Sequence, residues 1–165
     1  MTRRGASVRA VPKRSAGILM YRRRDGEPEV LLVHPGGPYW EKKDLGTWSI
    51  PKGEYDDAED PRDCALREFE EELGARPPEG ELAALGTARQ SGGKVVTAWA
   101  VEGDLDATTA RSNTFTLEWP PRSGVMREFP EVDRADWFTL DKARERINPA
   151  QAVFLDRLCE ELGRS

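Results

Sequence analysis

Residues 53–75 read GEYDDAEDPRDCALREFEEELGA, a glycine-led loop that runs into a short acidic helix. At about 100° per residue, Glu68, Glu71 and Glu72 lie within an arc of roughly 100° on one side of that helix. Like charges so placed repel each other by roughly 0.2–0.5 kcal/mol per pair, so the arrangement is favourable if a cation is bound between them. Because the ligands are all carboxylate oxygens, the pattern predicts a site for Mg²⁺ or Mn²⁺.

A second face of the same helix is apolar. Ala65, Leu66, Phe69 and Leu73 lie within a separate arc of about 100°, which is the stripe that a helix buries against a sheet. We therefore expect the acidic face to be held rigidly beside the hydrophobic core.

The ends of this helix are also indicated locally. Asp60 is suited to cap the first amides, Pro61 to occupy the first helical position, and Gly74 to end the helix in a left-handed turn. Arg67 lies one turn before the end of the acidic face and is predicted to pair with Glu59, which would clamp the loop to the helix.

The spacing in this segment resembles the Nudix box of the Nudix hydrolase family. Gly53 is followed after five residues by Glu59 and after seven more by residues 67–75, and every invariant-type position of the box is filled. The departures are Phe69 and Ala75, which stand where the family usually has aliphatic residues. The resemblance implies an α/β fold, namely a Nudix-type α/β/α sandwich with a mixed β-sheet.

The resemblance also implies an activity. It is that of a Mg²⁺-dependent pyrophosphohydrolase, an enzyme that cleaves a nucleoside diphosphate linked to another moiety. Residues 48–53 are similar to the approach to the box in the diadenosine-polyphosphate and diphosphoinositol-polyphosphate branch, which favours dinucleoside polyphosphates or nucleoside triphosphates as substrates. The alternatives are hydrolysis of oxidised dNTPs, ADP-ribose or diphosphoinositol polyphosphates, a non-catalytic nucleotide-binding module, and a structural calcium site.

By this resemblance a set of metal ligands can be named. They are the side chains of Glu68, Glu71 and Glu72 and a backbone carbonyl at Lys52 or Gly53. Phosphoryl transfer requires mainly positioning and charge neutralisation, and a metal ion supplies both.

Two places in the sequence could supply the base that takes a proton from water. The first is Glu68, and the second is a late loop before Trp137 that carries Glu128 and Glu131. We favour Glu131 of these two on its distance from Trp137, although a solvated loop acid is an equal alternative. Arg67 would support the catalytic carboxylates.

Candidate substrate-binding residues lie in segments rich in glycine and proline. Lys52 could meet phosphates as a point charge, and Tyr39, Trp40 and Trp119 could stack on a nucleobase. Packing in the core or at its rim is the alternative for these aromatic residues.

The remaining reactive side chains indicate no second chemistry. His34 is the only histidine, so a catalytic triad or zinc site is disfavoured and a structural or solvent-facing role is expected. Cys64 and Cys159 have no CxxC spacing and are too few for a disulfide scaffold, which favours a reducing cytoplasm.

Length and charge limit the partners. A chain of 165 residues with 33% charged residues and net charge −5 is predicted to form one domain over residues 15–165. Residues 1–14 carry five basic side chains and no acid, and are predicted to be a disordered tail rather than a targeting peptide or anion-binding arm. The acidic remainder argues against duplex nucleic acid, and no segment is apolar enough for a membrane. The expected partner is a small-molecule nucleotide, with the protein a monomer or homodimer.

The remaining pattern predicts strands interrupted by two helices. Strands are predicted at residues 15–21, 30–33, 47–50, 82–89, 94–101, 115–119 and 135–140. A final helix is predicted at residues 150–162, with Asn148 as its cap, Pro149 at its first position and Gly163 as its stop.

Overall fold

The computed structural model describes residues 13–163. Most of the predicted tail lies outside this range, and Arg14, which we had placed in the tail, is the first residue of a strand. Within the described range, no helix is both long enough and apolar enough to cross a membrane.

Residues 13–163 form eight strands and three α-helices. The strands are β1 (Arg14–Arg24), β2 (Glu27–Pro35), β3 (Lys52–Tyr55), β4 (Ala83–Arg89), β5 (Val95–Glu102), β6 (Thr114–Glu118), β7 (Met126–Pro130) and β8 (Val132–Thr139). The helices are α1 (Pro61–Leu73), α2 (Leu140–Arg146) and α3 (Ala152–Gly163).

The main sheet is mixed, as predicted. Its strand order is β4-β5-β1-β2-β8, with β3 also paired to β1. Strand β1 runs parallel to β5 and antiparallel to β2 and β3. Strands β6 and β7 form a separate two-stranded hairpin. The predicted α/β fold with a mixed sheet is therefore confirmed.

Alternation along the central strands divides the core into two layers. From β1, Ile18 and Met20 pack on the side of α1, where Phe69 is fully buried. Leu19 points to the opposite side, where Phe154 of α3 is also fully buried. Successive side chains of a strand point to opposite faces, so the helices on the two sides complete a three-layer α/β/α arrangement.

Helix α1 begins and ends where the sequence predicts. The Asp60 side chain accepts hydrogen bonds from the amides of Arg62 and Asp63 at 2.8 and 3.3 Å, and Gly74 has φ 69° in the left-handed region. Ala65, Phe69 and Leu73 of the predicted stripe are buried, together with Cys64, while Leu66 is partly buried.

One predicted strand is wrong, and two elements of the fold were not predicted. Residues 47–50 are not a strand, because Ser49 and Trp48 make only single bridges to Val33 and Ile147, and the strand begins at Lys52 beyond Pro51. Strand β7 and helix α2 were not predicted. Strand β7 is largely exposed and pairs only with β6, so it lacks the buried alternation that marks a strand.

The last helix begins later than predicted. Pro149–Gln151 form a 3₁₀ turn, and α3 follows at Ala152. The Asn148 side chain does cap this turn, since it accepts from the Ala150 amide at 2.9 Å.

Candidate active site

The predicted clamp between loop and helix is present. The Arg67 guanidinium donates two hydrogen bonds to Glu59, at 2.9 and 2.8 Å. It also donates to Glu68 at 2.8 Å and to Glu71 one turn along the helix. The bond to Arg67 lowers the pKa of Glu59, and the pKa of Arg67 is raised, first by Glu59. A single guanidinium thus joins three carboxylates.

Glu68 packs directly on the glycine that opens the motif. A Cβ atom added to Gly53 would lie 1.9 Å from the Glu68 carboxyl carbon, so a larger residue would have to displace the carboxylate. The Glu68 side chain is only 13% exposed. Burial raises its pKa, and the Glu71 carboxylate raises it further, while Arg67 opposes the rise.

Glu72 is the most strongly perturbed acid of the cluster. Burial raises its pKa to about 8, and the Lys52 ammonium opposes that rise. One carboxylate oxygen accepts a hydrogen bond from the Lys52 amide at 3.3 Å. In the absence of a cation, this position therefore favours the neutral carboxyl group near neutral pH.

The late-loop acid that lies beside the cluster is Glu131. It lies between β7 and β8 and lines a cavity of about 100 Å³ together with Lys52 and Glu72. Burial and the Glu71 carboxylate both raise its pKa. Glu128 instead lies within β7, paired with Thr116 and exposed to solvent.

Asn113, which no sequence pattern singles out, joins Glu131 to helix α1. Its side-chain amide donates to Glu71 at 3.3 Å and its backbone N–H donates to the Glu71 carbonyl at 3.0 Å. Its own carbonyl accepts from the Glu131 amide at 2.9 Å. Asn113 lies 18 residues from Glu131 and 42 residues from Glu71 in the sequence, so no local spacing indicates these contacts.

A fully buried glutamine supports the segment that leads to the cluster. The Gln151 side-chain oxygen accepts from the Ile50 amide at 3.0 Å, and its amide donates to Ser49 at 3.0 Å and to Gln90 at 3.1 Å. This residue fixes the chain just before Lys52. It was not recognised in the sequence because its partners lie 61, 101 and 102 residues away.

The donor chemistry of the cluster fits a hard divalent cation. Among residues 13–163, no three His, Cys, Asp or Glu side chains are already gathered into a metal-binding group, and Arg67 bonds both Glu68 and Glu71. The available donors are nevertheless carboxylate oxygens, as Mg²⁺ prefers. A bound cation would favour the ionised form of Glu72 and offset the effect of its burial.

The backbone ligand predicted at Lys52 or Gly53 has a competing contact. The Gly53 carbonyl lies 3.4 Å from the Cys64 thiol, which can donate to it. Burial raises the pKa of Cys64 to about 11, so this side chain is a neutral thiol. Cys64 and Cys159 are both free, as predicted.

The predicted aromatic residues lie in two surface segments. We call residues 36–46 the aromatic loop and residues 114–130 the β6–β7 hairpin. Tyr39 of the loop and Trp119 of the hairpin are in edge-to-face contact, with centroids 5.2 Å apart. Trp40 is not in this pair; the Lys43 ammonium lies 5.3 Å from its ring centroid. Tyr39 and Trp40 are 56% and 41% exposed.

The start of the aromatic loop is tied to the cluster. The Gly36 amide donates to the Glu131 carbonyl at 2.9 Å, and a Cβ atom on Gly37 would lie 2.9 Å from the Phe115 ring. The start of the aromatic loop therefore contacts both the β6–β7 hairpin and Glu131.

His34 is structural rather than solvent-facing. Its side chain is fully buried at the end of β2. The Nδ1 atom lies 2.8 Å from an Asp133 oxygen, and the Nε2 atom lies 2.6 Å from the Lys43 carbonyl oxygen.

Comparisons with known proteins identify the family and the fold of this chain. A family model described as the NUDIX domain matches residues 11–158. A Mycobacterium tuberculosis protein named "Putative 8-oxo-dGTP diphosphatase 3" is 33% identical over 118 residues, which cover 67% of this chain and 53% of that protein. The chain thus spans about half the length of the curated relatives that it matches.

Solved structures agree on the fold. A Caenorhabditis elegans Ap4A hydrolase binary complex superposes with a TM-score of 0.65 at 20% identity, covering 92% of this chain and 99% of that one. The NUDIX domain of Shewanella oneidensis NrtR, complexed with ADP ribose, superposes with a TM-score of 0.63 at 17% identity, covering 97% of this chain and 94% of that one. At these identities the likeness concerns the fold.

Proposed function

Because the chain belongs to the Nudix hydrolase family, we propose that it is a Mg²⁺- or Mn²⁺-dependent pyrophosphohydrolase that cleaves a nucleoside diphosphate linked to another group. One observation carries the proposal: Glu68, Glu71 and Glu72 of α1 are close enough to one another and to Glu131 for the carboxylates to raise the pKa of Glu68, Glu72 and Glu131, although Glu131 is contributed from another part of the chain. Four acids beside one core helix repel one another, and a divalent cation with a bound diphosphate would relieve that repulsion.

In this proposal the three acids of α1 hold the cation, with a carbonyl at Lys52 or Gly53 as a further ligand. A bound cation neutralises phosphate oxygens and lowers the pKa of a water molecule. Arg67 has a supporting role, since its hydrogen bonds to Glu59, Glu68 and Glu71 fix the spacing of the carboxylates.

We assign the proton-accepting role to Glu131 rather than Glu68. Burial and the Glu71 carboxylate raise the pKa of Glu131 above its ordinary value, which makes the carboxylate a stronger base. At Glu68 the Arg67 guanidinium opposes the same rise. Glu128 is the less suitable alternative, since it is an exposed residue of β7.

Binding of the nucleotide is assigned to the surface beside the carboxylates. Lys52 would meet a phosphate, and Tyr39, Trp40 and Trp119 would contact the base. The support is that Tyr39 and Trp119 already lie together, and that the loop carrying Tyr39 is hydrogen-bonded to Glu131.

Dinucleoside polyphosphates and nucleoside triphosphates are the favoured substrates. Residues 48–53 support the first class, since they are similar to the approach to the box in the diadenosine-polyphosphate branch. Oxidised dGTP is the second candidate, supported by the name of the 33%-identical Mycobacterium tuberculosis relative. A cytoplasmic location is part of the proposal, and the two free cysteines are consistent with it.

The test is a substrate panel with matched variants. Purified protein is incubated with Mg²⁺ and, separately, with diadenosine polyphosphates, nucleoside triphosphates, oxidised dGTP, ADP-ribose and diphosphoinositol polyphosphates, and the products are identified. We expect cleavage of at least one phosphoric anhydride that EDTA abolishes and that Glu71→Gln and Glu68→Gln strongly reduce. Glu70→Gln is the control, since Glu70 is an exposed residue of the same helix.

Two results would contradict the proposal. Activity that survives both Glu68→Gln and Glu71→Gln would remove these carboxylates from the reaction. Tight binding of a nucleotide without turnover of any compound in the panel would instead identify a binding module.

A further inference from the structure

His34 is a buried titratable side chain that the proposed reaction does not use. It lies at the end of β2 and is enclosed by Asp133 of β8, by the Lys43 carbonyl of the aromatic loop and by the Trp48 ring, whose centroid is 5.2 Å away. Three separate parts of the chain therefore meet at one imidazole ring.

Both ring nitrogens of His34 face hydrogen-bond acceptors. A carbonyl oxygen can only accept, so Nε2 must carry a proton to bond Lys43 at 2.6 Å. The Nδ1 atom lies 2.8 Å from a carboxylate oxygen of Asp133, and the Arg134 guanidinium lies 3.9 Å from the same oxygen. The buried ring is therefore held on one side by β8 and on the other by the aromatic loop.

The bond to Lys43 holds the aromatic loop. At its start, the loop is tied through the Gly36 amide to Glu131, and at its end through the Gly46 amide to Glu145 of α2. His34 adds a buried attachment between these two ends, next to the segment that carries Tyr39 and Trp40.

We propose that His34, held between the Asp133 carboxylate and the Lys43 carbonyl, is a positioning residue that fixes the aromatic loop for nucleotide recognition. The role in recognition rests on the proposed function, whereas the anchoring of the loop does not. His34 touches no reacting group, so it acts on substrate binding through the loop alone.

The donor that holds the loop is tested first by NMR. Because the chain contains one histidine, selective ¹⁵N labelling of histidine gives a single pair of ring nitrogen resonances. The Lys43 carbonyl can only accept, so we expect Nε2 to carry a proton both in the wild type and in Asp133→Asn. An unprotonated Nε2 in the wild type would overturn the proposal.

Anchoring is tested by hydrogen exchange of residues 37–46, without substrate. His34→Leu removes the buried donor, and we expect the loop amides to exchange faster by about tenfold, since the hydrogen bond to the Lys43 carbonyl is lost. Asp133→Asn keeps the Nε2 donor, so its loop should remain protected. Unchanged exchange in a folded His34→Leu variant would overturn the proposal, and so would loss of protection in Asp133→Asn.

Kinetics then connect the anchor to recognition. With a nucleotide that the wild type hydrolyses, we expect His34→Leu to raise KM by about tenfold while kcat changes much less, because the carboxylate cluster is untouched. A fall in kcat at constant KM would contradict positioning through the loop. If no compound is hydrolysed, the proposed function is wrong, whereas the NMR and exchange results still test whether His34 holds the aromatic loop.

Discussion

Helix α1 presents its carboxylates from one run of 13 residues, whereas Tyr39 and Trp119 meet from positions 80 residues apart. The first region is charged and half-buried, and its side chains are ordered by the helical repeat and by Arg67. The second region pairs the exposed ring of Tyr39 with the partly buried ring of Trp119, and it is ordered by contacts between a loop and a separate hairpin.

This difference separates two parts of the proposed activity. A rigid helix packed on a sheet suits residues that hold charge at fixed distances, and those distances govern the rate of a chemical step. A surface loop and hairpin tolerate change more readily, so they suit the recognition of a particular base. Changes in α1 should therefore affect kcat most, and changes in the aromatic loop should affect KM most.

The largest effect is expected where the two regions meet, at Glu131. If Glu131 accepts the proton, Glu131→Gln should lower kcat/KM by about 10²–10⁴, the usual contribution of a general base. Glu128→Gln, in the exposed strand β7, should lower it by less than about tenfold. Steady-state assays of both variants decide between them, and equal losses would place the base elsewhere.

The next effect concerns stability and belongs to α1 alone. Burial raises the folded-state pKa of Glu72 from 4.5 to about 8, so the folded protein binds more protons than the unfolded chain between these values. The free energy of unfolding should therefore fall as pH rises from about 4.5 to about 8, by roughly 3–5 kcal/mol from this group. Below this window Glu72 is protonated in both states, and above it the destabilisation is complete.

Urea denaturation in EDTA at pH 5–9 measures this dependence. Glu72→Gln should be more stable than the wild type at pH 8 and should lack this component of the pH slope. Saturating Mg²⁺ should also reduce the slope in the wild type. Parallel pH profiles of the wild type and Glu72→Gln would show that Glu72 is ionised in the folded protein throughout.

A smaller effect is expected from the glycine beneath Glu68. Gly53→Ala places a methyl group 1.9 Å from the carboxyl carbon of Glu68, so the carboxylate must move. A displacement of about 1 Å can lower the rate by about 10²-fold. Gly163→Ala is the matched control, because nothing lies within 4 Å of its added Cβ. Normal kcat in Gly53→Ala would indicate that the position of Glu68 is unimportant.

The smallest effect is expected in the aromatic region. Tyr39→Ala and Trp119→Ala should each raise KM by about tenfold, since stacking on a base contributes about 1–3 kcal/mol, and should leave kcat nearly unchanged. Leu45→Ala is the control, because Leu45 is an exposed side chain of the same loop. The double variant should lose less than the sum of the single losses, since the two rings touch. A loss of kcat at constant KM would contradict the assignment of substrate binding to the aromatic loop and of the chemical step to α1.

The same contrast explains what could be predicted from the sequence. The ends of α1, its buried stripe and the Arg67–Glu59 pair depend on spacings of a few residues, and all three are present in the structure. Strand β7 carries few apolar residues and is stabilised by its pairing with β6, so no periodicity marked it. Helix α2 has only seven residues, too few to show a clear apolar period.

The supporting residues of the site were missed for a related reason. Asn113, Gln151 and Asp133 each act through a hydrogen bond to a residue that is distant in the sequence. A polar residue on its own carries no mark of such a partner. For His34 the sequence predicts either a structural or a solvent-facing role, and only the fold shows that it joins β2, β8 and the aromatic loop.

The central claim is that the carboxylates of α1 form a divalent-cation site, and Mn²⁺ binding followed by electron paramagnetic resonance tests it most directly. We expect the wild type to bind Mn²⁺, to release it when Mg²⁺ is added, and to lose affinity by about tenfold or more in Glu71→Gln, since each lost charged ligand costs at least about 1.4 kcal/mol. Equal Mn²⁺ affinity in the wild type, Glu71→Gln and Glu68→Gln, with and without nucleotide, would contradict the claim.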